Sequence, residues 1–157
     1  VCRISDGKAL DGKNPSVEAG FHAGILRARP DMRVVLHFQS PCATTLACIP
    51  RKNINYFMTP EIPFYIGSIA RVPFILPGSK DLANAVTTAM RHHDLAVLVN
   101  HGQVTVARDL EHAIQNAEFF ELACEIIVGS GGKAVPMPKA LAGRLLALRK
   151  QAMRRAV

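Results

Sequence analysis

Two histidines stand where predicted apolar strands end, and their positions suit them to chemistry. His37 follows the run RVVL, and His101 follows the run LAVLVN. Binding side chains often emerge at strand ends, because the strand fixes their position and the following loop leaves room for a ligand. Each histidine is either a core residue satisfied by a backbone carbonyl or one ligand of a shared metal site.

Glu18 is the third candidate, because it lies in the first turn of a helix predicted to begin after the sequence NPS. A carboxylate at this place commonly just complements the helix dipole. His22 lies four residues later on the same helix face and could hold the carboxylate by a hydrogen bond. Gly102, directly after His101, lets the backbone turn sharply or lets a ligand come close.

The elements that must position these side chains alternate between helix and strand. Two Asp-Gly pairs near the start predict a short hairpin, and Ser16 is the predicted N-cap of the helix that carries Glu18. After the strand that ends near His37, the pattern predicts a short helix, a region of strands and loops, and a helix capped by Ser79. The strand before His101 comes next, followed by a long helix capped by Asp109 and an amphipathic C-terminal helix. This alternation predicts an α/β or α+β fold.

Composition favours one globular domain over residues 1–157, since 49% of the residues are hydrophobic. The four cysteines form no CxxC pair, which predicts reduced thiols and a cytoplasmic protein. No apolar run has the length of a membrane span, so we expect no membrane association. Lys and Arg exceed Asp and Glu by 19 to 12, but the excess is diffuse and lacks interleaved aromatics, so we expect no nucleic-acid partner.

Most of the chain, from about Asp11 to Ile127, resembles the class II aldolase/adducin family. Three ordered blocks carry the resemblance: Pro-Ser-x-Glu-x-x-x-His with Arg-Pro-Asp behind it, a strand followed by His-x-x-Ser-Pro, and Asn-His-Gly before a helix. The family includes fuculose-phosphate and rhamnulose-phosphate aldolases and ribulose-phosphate 4-epimerase. The combination of blocks is specific for the family and leaves the activity open.

The resemblance implies a central, mostly antiparallel sheet flanked by helices on both faces, and a homotetramer with active sites between neighbouring copies. It also implies a divalent metal, usually zinc, held by an His-x-His pair and the later His-Gly histidine. Carried over by position, His37 and His101 match metal ligands and Glu18 matches the catalytic acid/base. Ser16 matches a phosphate-contacting serine, and Tyr56 matches a tyrosine that donates a proton in the aldolases.

Three features depart from the family pattern. Gln39 stands where the second histidine of the His-x-His pair is expected, and a carboxamide oxygen is a weaker ligand than imidazole. Glu18 then becomes valuable as a permanent third ligand, in a set that suits Mn²⁺ or Fe²⁺ as well as Zn²⁺. Val17 replaces the second serine of the phosphate pair, and the chain is N-terminally short relative to the family.

The sequence thus predicts a metal-dependent class II aldolase. Such a lyase cleaves a small sugar phosphate or related hydroxy-carbonyl compound by retro-aldol through a metal-stabilised enediolate, like L-fuculose-phosphate aldolase. The alternatives are an epimerase or dehydratase of the same family, and a non-catalytic adducin-like assembly protein. Metal separates the enzymes from the assembly protein, because only the enzymes need Glu18, His37 and His101 to converge. The predicted partners are a small-molecule substrate and further copies of the chain.

Overall fold

Helices and strands alternate along the chain in the computed structural model, which describes residues 1–50 and 53–155. A π-helical turn at Ile62–Ile66 precedes the second strand. The remaining elements are α1 (Ala19–Ala28), β1 (Val34–Phe38), α2 (Pro41–Cys48), β2 (Ile69–Val72), α3 (Lys80–Met90), β3 (Leu95–Leu98), β4 (Gly102–Ala107), α4 (Leu110–Gly129) and α5 (Lys139–Arg155).

Four strands form one sheet in the spatial order β1-β4-β3-β2. The pairs β1–β4 and β3–β4 are antiparallel, and β2–β3 is parallel. The register places His37 opposite Val104, so β1 ends beside the turn that joins β3 to β4. The prediction of a mostly antiparallel central sheet is confirmed.

Apolar clusters cover both faces of the sheet, because alternate residues of each strand point to opposite sides. Ala96 and Leu98 of β3 join a cluster with α1 and α3, which we call the α1–α3 face. Leu95 and Val97 join a cluster with α2, α4 and the π-helical turn, which we call the α2–α4 face. All four β3 residues are therefore buried, which explains why their sequence shows no polar alternation.

Two local predictions agree with the structure in detail. The Ser79 hydroxyl accepts a hydrogen bond from the Leu82 amide at the start of α3. The Asp109 carboxylate accepts one from the His112 amide at the start of α4. Both contacts satisfy amides that a helix leaves without intrahelical partners.

Other local predictions were wrong or incomplete. The N-cap of α1 is Glu18 instead of Ser16, since two turn residues precede the helix. The predicted N-terminal hairpin is reduced to one bridge between Cys2 and Ala9. Strand β4 was missed because Gln103 and Thr105 are polar although fully buried.

The C-terminal helix α5 is anchored to the body of the domain by a buried carboxylate. Asp94, 8% exposed, pairs with Arg149 of α5 and lies 3.0 Å from a guanidinium nitrogen of Arg29. Arg29 also pairs with Asp31, so the Arg-Pro-Asp block joins the end of α1 to the start of β3. None of the helices within the described ranges combines the length and apolar character that crossing a bilayer needs.

Candidate metal centre

Glu18, His37 and His101 converge at one end of the sheet, and we call them the Glu18 cluster. The Glu18 Oε2 atom lies 3.1 Å from His37 Nε2, and Oε1 lies 3.1 Å from His101 Nε2. One ligand atom from each residue lies within 4.8 Å of the other two. A carboxylate and two imidazoles in this arrangement match the donors that divalent transition metals take in proteins.

The His37 ring is oriented by the strand next to it. Its Nδ1 atom lies 2.8 Å from the Gln103 backbone carbonyl, which can only accept, so Nδ1 carries the proton. The Nε2 lone pair therefore faces Glu18 and is available to a metal. The two interpretations of His37 from the sequence are thus compatible, because one ring nitrogen contacts a backbone carbonyl and the other belongs to the cluster.

The donor atoms fit a cation better than they fit one another. Among the described residues, the buried Glu18 Oε1 atom and the buried His101 Nδ1 atom make no hydrogen bond. The Glu18 and His101 side chains are each 11% exposed, so water compensates this carboxylate poorly. A buried, unpaired acceptor is costly, and a divalent cation between carboxylate and imidazoles would satisfy it.

Close packing between α1 and α3 fixes the position of Glu18. A Cβ atom on Gly20 would lie 3.3 Å from Ala83 Cβ, and one on Gly24 would overlap the Thr87 hydroxyl. The glycines therefore allow α1 to lie directly on α3 at the point where the helix begins. Glu18 at the N-cap is held over the end of β1 as a result.

Glu121 of α4 fixes the segment that follows β1, a role that was not predicted from the sequence. Its carboxylate accepts hydrogen bonds from the Ser40 hydroxyl at 2.6 Å and from the Cys42 and Ala43 amides at 2.7 and 2.9 Å. Burial acts to raise the pKa of Glu121, but these hydrogen bonds outweigh it and the pKa is lowered. A partner 78 residues away caps α2, and no local pattern predicts it.

Gln39 and Gly102 both lie beside the cluster. The Gln39 Nε2 atom donates a hydrogen bond of 2.7 Å to the His101 backbone carbonyl. A Cβ atom on Gly102 would lie 2.7 Å from the Phe38 carbonyl oxygen, 2.9 Å from Gln39 Cγ and 3.2 Å from His37 Cε1. Gly102 is therefore required by the close approach of β1 and Gln39. Close approach of a ligand to Gly102 stays a prediction.

Ser16 contacts the backbone of Glu18, whereas His22 does not hold the Glu18 carboxylate as predicted. The Ser16 hydroxyl accepts a hydrogen bond of 3.3 Å from the Glu18 amide, at an exposed position. His22 makes no hydrogen bond to the Glu18 carboxylate within the described part of the chain. Its ring stacks on Phe21 instead, with centroids 4.7 Å apart. Burial, followed by the proximity of His37, lowers the pKa of His22.

Tyr56 does not join the Glu18 cluster of its own chain. Its ring packs 5.0 Å from the Phe120 ring on the α2–α4 face, and only 9% of its surface is exposed. His37 points to the other face, where Phe21 contacts it edge-on at 5.6 Å. Burial raises the pKa of Tyr56 to about 12. Proton donation by Tyr56 to a neighbouring copy stays a prediction.

Comparison with known sequences gives relatives of two activities. The chain is 30% identical over 148 residues to a 3-oxo-tetronate 4-phosphate decarboxylase of Escherichia coli O6:H1, covering 92% of this chain and 69% of the relative. It is 35% identical over 116 residues to an L-fuculose phosphate aldolase of Methanocaldococcus jannaschii, covering 74% of this chain and 61% of the relative. The chain therefore spans about two thirds of the length of these relatives.

Solved structures of proteins with similar names share the fold of this chain. YgbL from Escherichia coli has a TM-score of 0.84 at 27% identity, and the match covers 90% of this chain and 70% of YgbL. An L-fuculose 1-phosphate aldolase has a TM-score of 0.77 at 23% identity, covering 95% of this chain and 70% of that one. The family profile described as "Class II Aldolase and Adducin N-terminal domain" matches residues 1–128. The chain belongs to the class II aldolase and adducin family.

Proposed function

We propose that the protein is a divalent-metal-dependent carbon–carbon lyase that acts on a small hydroxy-carbonyl compound, with retro-aldol cleavage of a sugar phosphate as its reaction. The observation that carries this proposal is the convergence of Glu18, His37 and His101 around a buried carboxylate oxygen that makes no hydrogen bond to the described residues. Family membership supports the same reaction class, because the relatives reported above are named as aldolases and decarboxylases.

Glu18, His37 and His101 are the residues that would hold the metal. Two imidazoles and a carboxylate suit Zn²⁺, Mn²⁺ and Fe²⁺, of which we propose Zn²⁺ first. When bound, such an ion supplies Lewis-acid stabilisation of the negative charge that develops on the substrate oxygens. The hydrogen bond from His37 Nδ1 to the Gln103 carbonyl holds one imidazole ready for that role.

Glu18 is the proposed acid/base of the reaction. In a retro-aldol cleavage, the proton of the hydroxyl group β to the substrate carbonyl passes to a Glu18 oxygen. The carbon–carbon bond then breaks, its electron pair moves toward the carbonyl, and an aldehyde leaves. Return of the proton to the remaining carbon completes the cycle, so the carboxylate ends in its starting state.

Decarboxylation of a 3-oxo acid is the second candidate, and the 30% identity to a 3-oxo-tetronate 4-phosphate decarboxylase over 92% of this chain favours it. This reaction also sends an electron pair toward a carbonyl group, but carbon dioxide leaves in place of an aldehyde. Bond breaking then needs no proton removal from a hydroxyl group. Glu18 would act only afterwards, by passing a proton taken up from water to the new carbanionic carbon.

The first experiment measures metal content in the wild-type protein and in His37→Ala by inductively coupled plasma mass spectrometry. We expect about one divalent ion per wild-type chain and its loss in the variant. Purified metal-loaded protein is then assayed with ketose 1-phosphates for aldehyde release and with 3-oxo acid 4-phosphates for carbon dioxide release. Wild-type protein that takes up no Zn²⁺, Mn²⁺ or Fe²⁺ would refute the enzyme proposal and favour the adducin-like assembly role.

Association into a homotetramer and a cytoplasmic location are parts of the same proposal. The resemblance implies the homotetramer with active sites between copies, and the four cysteines without a CxxC pair support the cytoplasmic location. Sedimentation equilibrium of the purified chain measures the first, and a monomeric mass at micromolar concentration would contradict it.

A further inference from the structure

Gln39 continues the contact between β1 and β4 past the end of the strand pairing. The final pair of the ladder at this end joins Phe38 to Gln103. One residue further, the Gln39 side chain replaces a backbone partner, and its Nε2 atom donates to the His101 carbonyl at 2.7 Å. The opposite amide orientation would place two oxygens against each other, so the nitrogen must face the carbonyl.

The carbonyl that Gln39 contacts belongs to the turn between β3 and β4, residues 99–101, which we call the His101 turn. Its first amide donates to the Val72 carbonyl at 3.0 Å, and its second donates to the Ala47 carbonyl at 3.2 Å. Asn100 has a φ of 55°, in the left-handed region that few residues other than glycine adopt. Backbone carbonyls of β2 and α2 thus hold the turn on two sides, while Gln39 holds it from the residue directly after β1.

We propose that Gln39 is a positioning residue for His101, and that it is not a metal ligand. Its amide nitrogen is directed to the backbone end of His101, whereas the Nε2 atom at the tip of that side chain faces Glu18. The proposal rests on the proposed function only in requiring that the Glu18 cluster binds a metal.

Packing, in addition to hydrogen bonding, supports the positioning role of Gln39. The Gln39 Cγ atom lies 2.9 Å from the place where a Cβ on Gly102 would stand, so its methylene chain covers the glycine directly after the His101 turn. Groups that orient a metal ligand without touching the metal typically change metal affinity by about 10–100-fold when they are removed. Gln39 would therefore influence the metal through the geometry of His101.

The test separates positioning from ligation by working first on the metal-free protein, in which a ligand has nothing to bind. Gln39→Ala removes the side chain, while Gln39→Glu keeps an oxygen that could bind metal but loses the donor. Gln151→Ala, at an exposed position of α5, is the control. Hydrogen exchange of the Asn100 and His101 amides is measured by NMR, together with Zn²⁺ affinity by competition with a chromogenic chelator.

We expect both Gln39 variants to exchange these amide protons about tenfold faster than the wild type, the factor that corresponds to one hydrogen bond of ordinary net strength. Zn²⁺ affinity should fall about tenfold or more in Gln39→Ala. Gln151→Ala should match the wild type in both measurements. Circular dichroism confirms that each variant is folded, as we expect for substitutions of exposed residues.

Wild-type exchange in both metal-free Gln39 variants would overturn the proposal. Wild-type exchange combined with tighter Zn²⁺ binding by Gln39→Glu would in addition identify Gln39 as a ligand. Failure of the wild type itself to bind Zn²⁺, Mn²⁺ or Fe²⁺ would refute the proposed function. In that case the exchange rates of the metal-free variants still decide whether Gln39 holds the His101 turn.

Discussion

Gly102→Ala is the most informative single substitution, because it adds one methyl group between β1 and the Glu18 cluster. That methyl would lie 2.7 Å from the Phe38 carbonyl oxygen and 2.9 Å from Gln39 Cγ. Both distances are shorter than the non-bonded contacts that Cβ atoms make in proteins. The Phe38 oxygen is part of the paired backbone, so it cannot move without separating β1 from β4. The methyl would also press on His37 Cε1 at 3.2 Å.

Overpacking of this kind costs roughly 1–3 kcal/mol of unfolding free energy. For a protein of about this length, each kcal/mol lowers the melting temperature by about 2–4 °C, so we expect a decrease of roughly 2–12 °C. Metal affinity should fall as well, because displacement of His37 moves its Nε2 atom away from Glu18. Urea unfolding of the metal-free protein and Zn²⁺ competition measure the two effects separately.

Gly143→Ala is the matched control, because a Cβ atom at that position in α5 would meet, apart from the backbone of its own helix, no atom of the described residues within 4 Å. Replacing a glycine inside a helix with alanine stabilises a protein by about 0.5–1 kcal/mol. The two substitutions should thus change stability in opposite directions. If Gly102→Ala unfolds at the wild-type urea concentration and binds Zn²⁺ with wild-type affinity, the steric reasoning about β1 is refuted.

Three further predictions follow from other contacts. Glu18→Gln and His101→Ala should each abolish lyase activity and weaken Zn²⁺ binding by more than the ~10–100-fold typical of outer-sphere partners; wild-type turnover in either variant contradicts the mechanism. Glu121→Gln should lower the free energy of unfolding by about 1–3 kcal/mol, because the donors at the start of α2 lose a charged acceptor. Since the pKa of Glu121 is lowered from 4.5, its stabilisation is present above pH 4.5 and is lost as pH falls through the folded pKa. The free energy of unfolding, measured with urea at several pH values below 4.5, should therefore depend less on pH in the variant than in the wild type. The same pH dependence in both proteins would refute this. Asp94→Asn should cost about 3–5 kcal/mol by leaving Arg149 beside a neutral group, and an unchanged urea midpoint refutes it.

His37 and His101 were predictable from the sequence because each follows a short apolar run, and strand ends deliver side chains to a common edge. The position of Glu18 was predictable from the helix that begins nearby, and the resemblance supplied its role. These predictions depend on local periodicity, which remains visible without any knowledge of tertiary contacts.

The partners of these residues could not be predicted in the same way. Glu121 reaches α2 from a helix that begins 69 residues after Pro41, and nothing in its local sequence marks it as a cap. The direction of the Gln39 amide depends on the register of β1 against β4, which periodicity does not give. Strand β4 was missed because its buried polar residues are satisfied by tertiary contacts, among them the Thr105 hydroxyl on the Asp94 carbonyl at 2.9 Å.

The edge position of β1 also affects how the Glu18 cluster assembles during folding. His37 and its carbonyl partner Gln103 are 66 residues apart, so their contact closes a long loop and forms slowly compared with helices. Edge strands are also among the segments that open before global unfolding. A metal bound by Glu18, His37 and His101 would tie this edge strand to the His101 turn between β3 and β4. We therefore expect metal to slow unfolding of the protein more than it accelerates folding.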